Sequence, residues 1–378
     1  MTSKERFLTV LAGGVPDRLP VTTHHVMPYF LHRYMEGMET QAFFEHFGLD
    51  PILWLEPMVP DTSRGERIEP ANGRIVSDTW HISEEVLPGR DAFVRRVTIT
   101  TPRGALSATV ESNEHTVWLT EHFIKEKPDI DLLGEYMTRP RYDGEQINAR
   151  AAVYGGRGLV RGGIMPCFEY LGQPGCWQDA ACLVGIERLI MAAFEDPEWV
   201  HTLLGILLER KLAAIDSLEG VNYDLLELGG GDASTTVISP AIFDAFVAPY
   251  DSQLIAAAHE KGQRVTYHTC GGMMPILEAV ADMGPDAMET FTPPGMGGDT
   301  DLAEAKRRIG GRVCMIGGFD QFHFFEDCAP EATRAEVRRC FEAAGEGGGY
   351  VLCPSDHFFD ADPALVAAFA EAGRECVY

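Results

Sequence analysis

The sequence predicts an α/β chain built as one TIM-type (β/α)8 barrel over residues 1–378, with a small antiparallel β insertion near its N-terminus, at about 73–112. Three observations carry this prediction. From about residue 156 short apolar strands alternate with longer helical stretches, the pattern of a parallel sheet buried under helices. Residues able to do chemistry (Glu227, His268, Cys270, Glu289, Asp320 and Cys353) stand at or just past the C-terminal ends of predicted strands. A closed barrel brings those ends to one pocket, whereas an open sheet strings them along an edge. Finally, residues 74–82, 92–100 and 105–111 alternate or cluster β-branched residues between the turns Pro88-Gly89 and Pro102-Arg103-Gly104, which reads as an inserted sheet.

Taken in order, Thr2-Ser3-Lys4-Glu5 has capping-box spacing and starts a helix that runs out at Gly13-Gly14, before Pro16. Short strands follow at 18–22 and 50–55. After the insertion, 121–136 forms a polar linker leading back to helix. Strands are expected at 158–164, 223–228, 264–269, 286–289, 312–317 and 349–353. Helical stretches run to Leu218 and cover 273–283, 301–309, 330–344 and 363–374. Ser239-Pro240 supplies an N-cap and an N1 proline for a helix reaching Gly262, and Pro249 inside it predicts a kink. Gly229-Gly230-Gly231 is a glycine loop after a strand, suited to close backbone approach, and no phosphate-binding glycine fingerprint is present.

The balance of 45% hydrophobic and 23% charged residues is that of a globular chain. A net charge of −26 repels phosphate backbones and anionic lipids, so neither nucleic acid nor membrane is an expected partner. Nine scattered cysteines argue against a disulfide framework, and the seven outside His268-x-Cys270 and Cys353, namely Cys167, Cys176, Cys182, Cys314, Cys328, Cys340 and Cys376, read as structural. The opening residues lack a signal-peptide pattern and no apolar run is long enough to span a bilayer, so the cytoplasm is the expected compartment.

The chemistry centres on His268-Thr269-Cys270. Two residues apart at a strand end, the imidazole and the thiolate point to one side, and together they suit zinc. Gly271-Gly272 lets the backbone turn tightly beneath an ion. A catalytic zinc needs a third protein ligand, for which Cys353 is the candidate from strand position, with Glu289 as a further oxygen donor. The competing reading is a packed histidine beside a buried thiol.

Most of the chain resembles the uroporphyrinogen decarboxylase superfamily. The resemblance lies in Lys4-Glu5-Arg6-Phe7-Leu8 through Pro16-Asp17-Arg18-Leu19-Pro20, Ile238-Ser239-Pro240 with Phe243 to Tyr250, Tyr267-His-Thr-Cys-Gly271, Gly347-Gly-Gly-Tyr350 and Asp362-Pro363. It implies a (β/α)8 barrel. Decarboxylases of this superfamily resemble one another in an N-terminal Arg-Gln-Ala-Gly-Arg segment that binds substrate carboxylates. Here the corresponding region, Thr23 to Phe30, has no arginine before Arg33. The second branch, zinc methyltransferases of corrinoid-dependent systems, shares His-x-Cys and a distant third cysteine. His268 and Cys270 match. The third position stays open among Cys353, Asp356 and His357, because Cys353 precedes Pro354 and aligning on that proline puts Asp356 in its place.

The resemblance thus implies a zinc-dependent methyltransferase moving a methyl group between a small methoxy, methylamine or thiol substrate and a corrinoid. No Asp-x-His-x-x-Gly corrinoid motif occurs in the chain, so the corrinoid is expected on a partner protein. His268, Cys270 and Cys353 are then the expected metal ligands and Glu227, Glu289, Asp356 and His357 the expected catalytic residues. His24, Asp232 and Asp320 are expected to bind substrate, at most one of His24 and His25 facing the pocket. The alternatives are a metal-free decarboxylase of a carboxylate-bearing substrate and a non-catalytic ligand-binding barrel.

Overall fold

A computed structural model of the chain describes residues 1–88, 93–165 and 172–378. Gly89, in the expected turn at Pro88-Gly89, and Cys167 lie outside the described residues. The strands that matter here are, in chain order, β1 (Ile52–Trp54), β2 (His81–Leu87), β3 (Phe93–Thr101), β4 (Gly104–Ser112), β5 (Val117–Glu121), β6 (Leu159–Gly163), β7 (Leu225–Gly229), β8 (Val265–His268), β9 (Ala287–Thr290), β10 (Cys314–Phe319) and β11 (Tyr350–Pro354).

The main sheet is parallel, seven-stranded and curled, in the order β1-β6-β7-β8-β9-β10-β11. Its strands are buried on both faces, which is why they read as short apolar runs and not as alternating ones. Leu226, Val265, Met288, Met315 and Leu352 lose all contact with water, each removal stabilising the fold by about 1.5–3 kcal/mol.

The expected strand at 18–22 is reduced to a single parallel bridge between Val21 and Leu352. Leu352 N–H donates to Pro20 O (2.9 Å) and Thr22 N–H to Leu352 O (3.0 Å), while Asp50 N–H donates to Val21 O (2.7 Å). The segment therefore spans the gap between β11 and the start of β1, giving a TIM-like curled sheet. Pro20 has no N–H to extend the ladder, so the pairing stays one residue long. The fully buried Asp50 fixes this seam: it accepts from Arg6 (2.7 Å), from Arg18 (2.9 and 3.0 Å) and from the Val21 backbone (3.0 Å). Arg6 also pairs with Asp17 at 2.8 Å. The charged residues of the N-terminal motif thus serve the closing seam.

Helix Ser3–Leu11 carries the expected capping box from Thr2 and Glu5. The helix predicted from Ser239 is broken: Pro240–Ile242 passes into a wide π-type turn at Phe243–Val247 before Ala248–Glu260. Pro249, lacking an N–H, sits in the first turn of the new helix, where that lack costs nothing.

The insertion differs from its expected bounds. Strands β2 to β5 form a four-stranded antiparallel sheet, and its last strand takes Val117–Glu121 beyond the expected limit of 112. The fourth strand escaped notice because Asn113-Glu114-His115-Thr116 is polar, yet it is a built turn: Asn113 Oδ1 accepts the N–H groups of His115 and Thr116, both at 2.9 Å. The expected stretch 74–82 splits into a two-residue pair at Ile75–Val76 and the start of β2. Among the described residues no helix is long and apolar enough to cross a membrane.

Candidate functional site

Neighbouring parallel strands set the register of the site. Glu227 stands opposite Gly163, and His268 stands between Gly229 and Glu289. Glycines on the flanking strands leave room above the sheet for the longer side chains.

On the inner side of His268 lies a closed ionic group. The Arg161 guanidinium, 1% exposed, grips Glu289 with both terminal nitrogens (3.1 and 2.8 Å) and reaches Glu227 at 3.1 Å. Its face lies 4.5 Å from the Trp54 ring. His24 Nε2 is 2.7 Å from Glu227 Oε2, and the His25 ring stacks on Trp54 at 4.5 Å. One ligand atom from each of His24, Glu227, His268 and Glu289 lies within 4.8 Å of the others. Burial disfavours the Glu289 carboxylate, but Arg161, His24 and His268 outweigh it and hold this carboxyl well below its usual range. Glu227 goes the other way: burial, joined by the nearby Glu289, pushes it up to about 7 against the pull of His268 and Arg161. Burial and the neighbouring His25 hold His24 well below its ordinary value, and burial with Arg161 lowers His25 to about 4.

The outer side of His268 is different. Its Nδ1 is 3.2 Å from Glu289 Oε1, which leaves Nε2 facing Cys270 Sγ at 3.1 Å. Asp356 stands near enough to Cys270 for each to influence the other's proton affinity. Asp356 is held in turn by His357, whose Nδ1 is 2.8 Å from Oδ1 and whose backbone N–H donates to the same oxygen at 2.7 Å. Burial raises the Cys270 thiol despite the adjacent His268. His268 is held well above its ordinary value, Cys270 and Glu227 overcoming the cost of burial.

The glycine loop after β7 comes up beside this pair. Gly229 (φ +102°) and Gly230 (φ +151°) adopt conformations that suit glycine, and a Cβ on Gly229 would stand 2.3 Å from His268 O. Gly230 N–H donates to that carbonyl at 2.7 Å, so the loop is laced to the strand bearing the tripeptide. Past Glu289, Thr290 is held at φ +89°, a strained value for a β-branched residue, and its hydroxyl donates to Thr269 O at 2.6 Å.

The other expected residues fall in different places. Cys353 is buried on the inner side, lining a crevice with His24, Glu289 and Ile316; burial and Glu289 raise its thiol. Asp232 sits partly buried in the turn Gly231–Ala233 beside the glycine loop, its carboxyl raised by burial. Asp320 lies away from the cluster. It caps Gln321–Phe324, pairs with His323 at 2.9 Å and borders a separate cleft of about 460 Å³ with Asp299, Asp301 and Arg339. The eight described cysteines are all free thiols.

Arg161 and Trp54 were missed from sequence. The signal for Arg161 was present, a lone charge inside the apolar run Leu159 to Gly163; nothing local marked Trp54. The hairpin between β4 and β5 also reaches this region. His115 at its tip packs on Tyr29 (4.2 Å between centroids) and on Phe359 (5.4 Å), which itself contacts His357.

Zinc suits the outer set. An imidazole nitrogen and a thiolate on one tetrahedral zinc stand ~3.5 Å apart, close to the separation of His268 and Cys270, and Glu289 holds the remote ring nitrogen as outer carboxylates do in zinc sites. The inner set suits it less, because the Arg161 cation already lies between the two glutamates.

Three comparisons place the chain among known proteins. Residues 160–376 match the family model described as Uroporphyrinogen decarboxylase (URO-D). The uroporphyrinogen decarboxylase of Idiomarina loihiensis is 29% identical over 224 residues, covering 56% of this chain and 58% of the relative. That of Psychromonas ingrahamii is 30% identical over 243 residues, 60% and 62% of the two chains. The chain spans about three-fifths of the length of these curated relatives. Among solved structures, a methyltransferase from Methanosarcina mazei superposes with a TM-score of 0.63 over 99% of both chains at 17% identity, a likeness of fold. With a parallel curled sheet bearing its polar residues at the strand ends and a family match over more than half its length, the chain belongs to the uroporphyrinogen decarboxylase (URO-D) family.

Proposed function

We propose that this protein is a zinc-dependent methyltransferase that moves a methyl group between a small methoxy, methylamine or thiol substrate and a corrinoid carried by a partner protein. We further read the curled sheet as a closed (β/α)8 barrel, with Val21 in the place of the eighth strand. The observation that carries the functional reading is the His268 Nε2 to Cys270 Sγ approach of 3.1 Å, with Asp356 near Cys270.

In this reading His268, Cys270 and Asp356 hold the ion, and Cys353 belongs to the inner packing. Bound zinc supplies Lewis acidity toward the heteroatom that gives or takes the methyl group. Glu289 keeps the proton on His268 Nδ1 so that Nε2 offers its lone pair. His357 holds Asp356 in line by its ring and its backbone N–H. Glu227, bonded to His24, is the carboxyl that exchanges a proton with the substrate heteroatom as its bond to the methyl carbon breaks or forms.

The names of the curated relatives favour a second reading, decarboxylation of a carboxylate-bearing substrate. That chemistry calls for cationic donors free to grip carboxylates. Arg161, the arginine in this cluster, is committed to Glu289 and Glu227, and that weighs against it.

Metal analysis tests the proposal. Purified protein is expected to carry about one zinc per chain, and Cys270→Ser to lose the metal together with methyl transfer to free cob(I)alamin. Zinc-free wild-type protein, with activity unaffected by Cys270→Ser, would sink it.

A further inference from the structure

The turn that carries Cys270 lies between two loops. Along one side runs β9 with the loop that follows it. Glu289 holds the His268 ring, the Thr290 hydroxyl donates to Thr269 O, and the Gly271 N–H donates to Thr292 Oγ1 at 3.1 Å. Farther along the same loop, Asp299 Oδ1 accepts from the N–H groups of Met273 (2.8 Å) and Met274 (3.1 Å). Along the other side runs the loop after β7. Gly230 N–H donates to His268 O, Thr235 N–H to Gly272 O at 2.8 Å, and the Gly272 N–H to Thr236 Oγ1 at 2.8 Å.

These bonds fall on the backbone around and just after the thiol, where the strand no longer supplies a ladder, since β8 ends at His268. Gly271 takes φ +95°, and its N–H and that of Gly272 find their acceptors on opposite loops. Thr292 is buried, so water competes little for its hydroxyl, whereas Thr236 is exposed and water can replace it. Thr292 is itself fixed. Its carbonyl accepts from the Thr300 N–H at 3.1 Å, and Gly298 passes so close that a Cβ there would fall 2.0 Å from that oxygen. A hydroxyl gripped by its own loop is placed to set the position of the turn it holds.

We propose that Thr292, supported by Thr236, is a positioning residue of the site: it holds the Gly271 turn so that Cys270 Sγ stays against His268 Nε2 before a metal arrives. The two side chains then share an ion without rearrangement, and affinity for the ion rises accordingly. The proposal rests on the zinc reading above, and its test separates the two.

The experiment measures the zinc affinity of the full chain by chelator competition, together with the cobalt–thiolate absorption of cobalt-substituted protein. Thr292→Val keeps the side-chain shape and removes the acceptor; zinc affinity is expected to fall at least about tenfold and the cobalt–thiolate band to shift or weaken. Thr292→Ser, which keeps the hydroxyl, should restore both. Thr236→Val should lose affinity by a smaller factor, because water replaces its hydroxyl. Thr333→Val is the control: it removes another buried hydroxyl bond, to Phe324 O at 2.9 Å, and should lower stability while zinc affinity stays at the wild-type value. Unchanged affinity in folded Thr292→Val, or an equal loss in Thr292→Ser or Thr333→Val, overturns the proposal. Should Thr292→Val not fold, Thr236→Val decides in its place, and unchanged affinity there overturns the proposal. Wild-type protein that takes up no zinc removes the methyltransferase reading, and amide hydrogen exchange of metal-free protein then judges the positioning role. Exchange at Gly271 at least about tenfold faster in Thr292→Val upholds it, and unchanged exchange overturns it.

Discussion

The two nitrogens of His268 look onto regions of opposite character. On the Nδ1 side the groups are bonded to one another: Arg161 grips Glu289 and reaches Glu227, Trp54 covers the guanidinium face, and His24 bonds Glu227. On the Nε2 side a thiol and a carboxylate come together without an arginine between them: Cys270 facing His268, and Asp356 held by His357. The inner region ties its two carboxyl groups to one guanidinium, which holds these side chains in fixed positions under low dielectric, although the Arg161 Nε itself has no partner. The outer region keeps capacity in hand for groups that bind. A cluster of four metal-capable residues is therefore not by itself the place for an ion; what matters is whether their charge is already spent.

The sharpest way to break this contrast is to remove the inner cation. Arg161→Met should leave two buried carboxyl groups unmatched and cost about 3–5 kcal/mol, read as a lower urea midpoint. Stability near that of the wild type would mean that the inner group is not the scaffold described.

Asp251 offers a carboxyl in the same buried layer that is only partly matched, by the Cys176 N–H and the Tyr267 hydroxyl, with burial raising it to about 6. Its folded pKa lies above its unfolded one, so its contribution to stability is full at low pH and is lost as pH rises through about 6. The loss amounts to up to roughly 3 kcal/mol. Asp251→Asn should remove this dependence, so the stability of the variant relative to wild type should increase between pH 5 and 7.5. A constant difference across that range in denaturant titrations would contradict the assignment.

On the outer side, His357→Ala should weaken zinc binding by about 10–100-fold, because Asp356 loses the ring that orients it, while the urea midpoint of metal-free protein stays close to wild type. Competition against a chelator of known affinity measures this. Unchanged affinity would show that Asp356 is not held for the metal.

Much of the layout could be read from the linear chain. The parallel strands were visible because burial on both faces demands continuous apolar runs, and the caps at Thr2 and Ser239 because helix ends leave donors that short polar side chains satisfy. Local reasoning failed where a residue answers to distant neighbours. Val21 forms only a bridge because Pro20 breaks the ladder. The strand Val117–Glu121 hid behind a polar turn whose hydrogen bonds are internal to Asn113. Asp320 has a strand-end position but spends its carboxylate on a helix cap and on His323.

The alternation that forces a parallel sheet, and the imidazole and thiol two residues apart, are properties of neighbours along the chain and are legible in it. The surroundings of that pair are a product of folding. Arg161, Glu289 and Glu227 come from three different strands, and Asp356 from the loop after the last one. Their mutual distances are set by strand register and sheet curvature, quantities that no local spacing encodes. Long-range electrostatics, acting at those distances and under low dielectric, then sets an arginine-bridged carboxylate pair on one face of His268 and a thiol on the other.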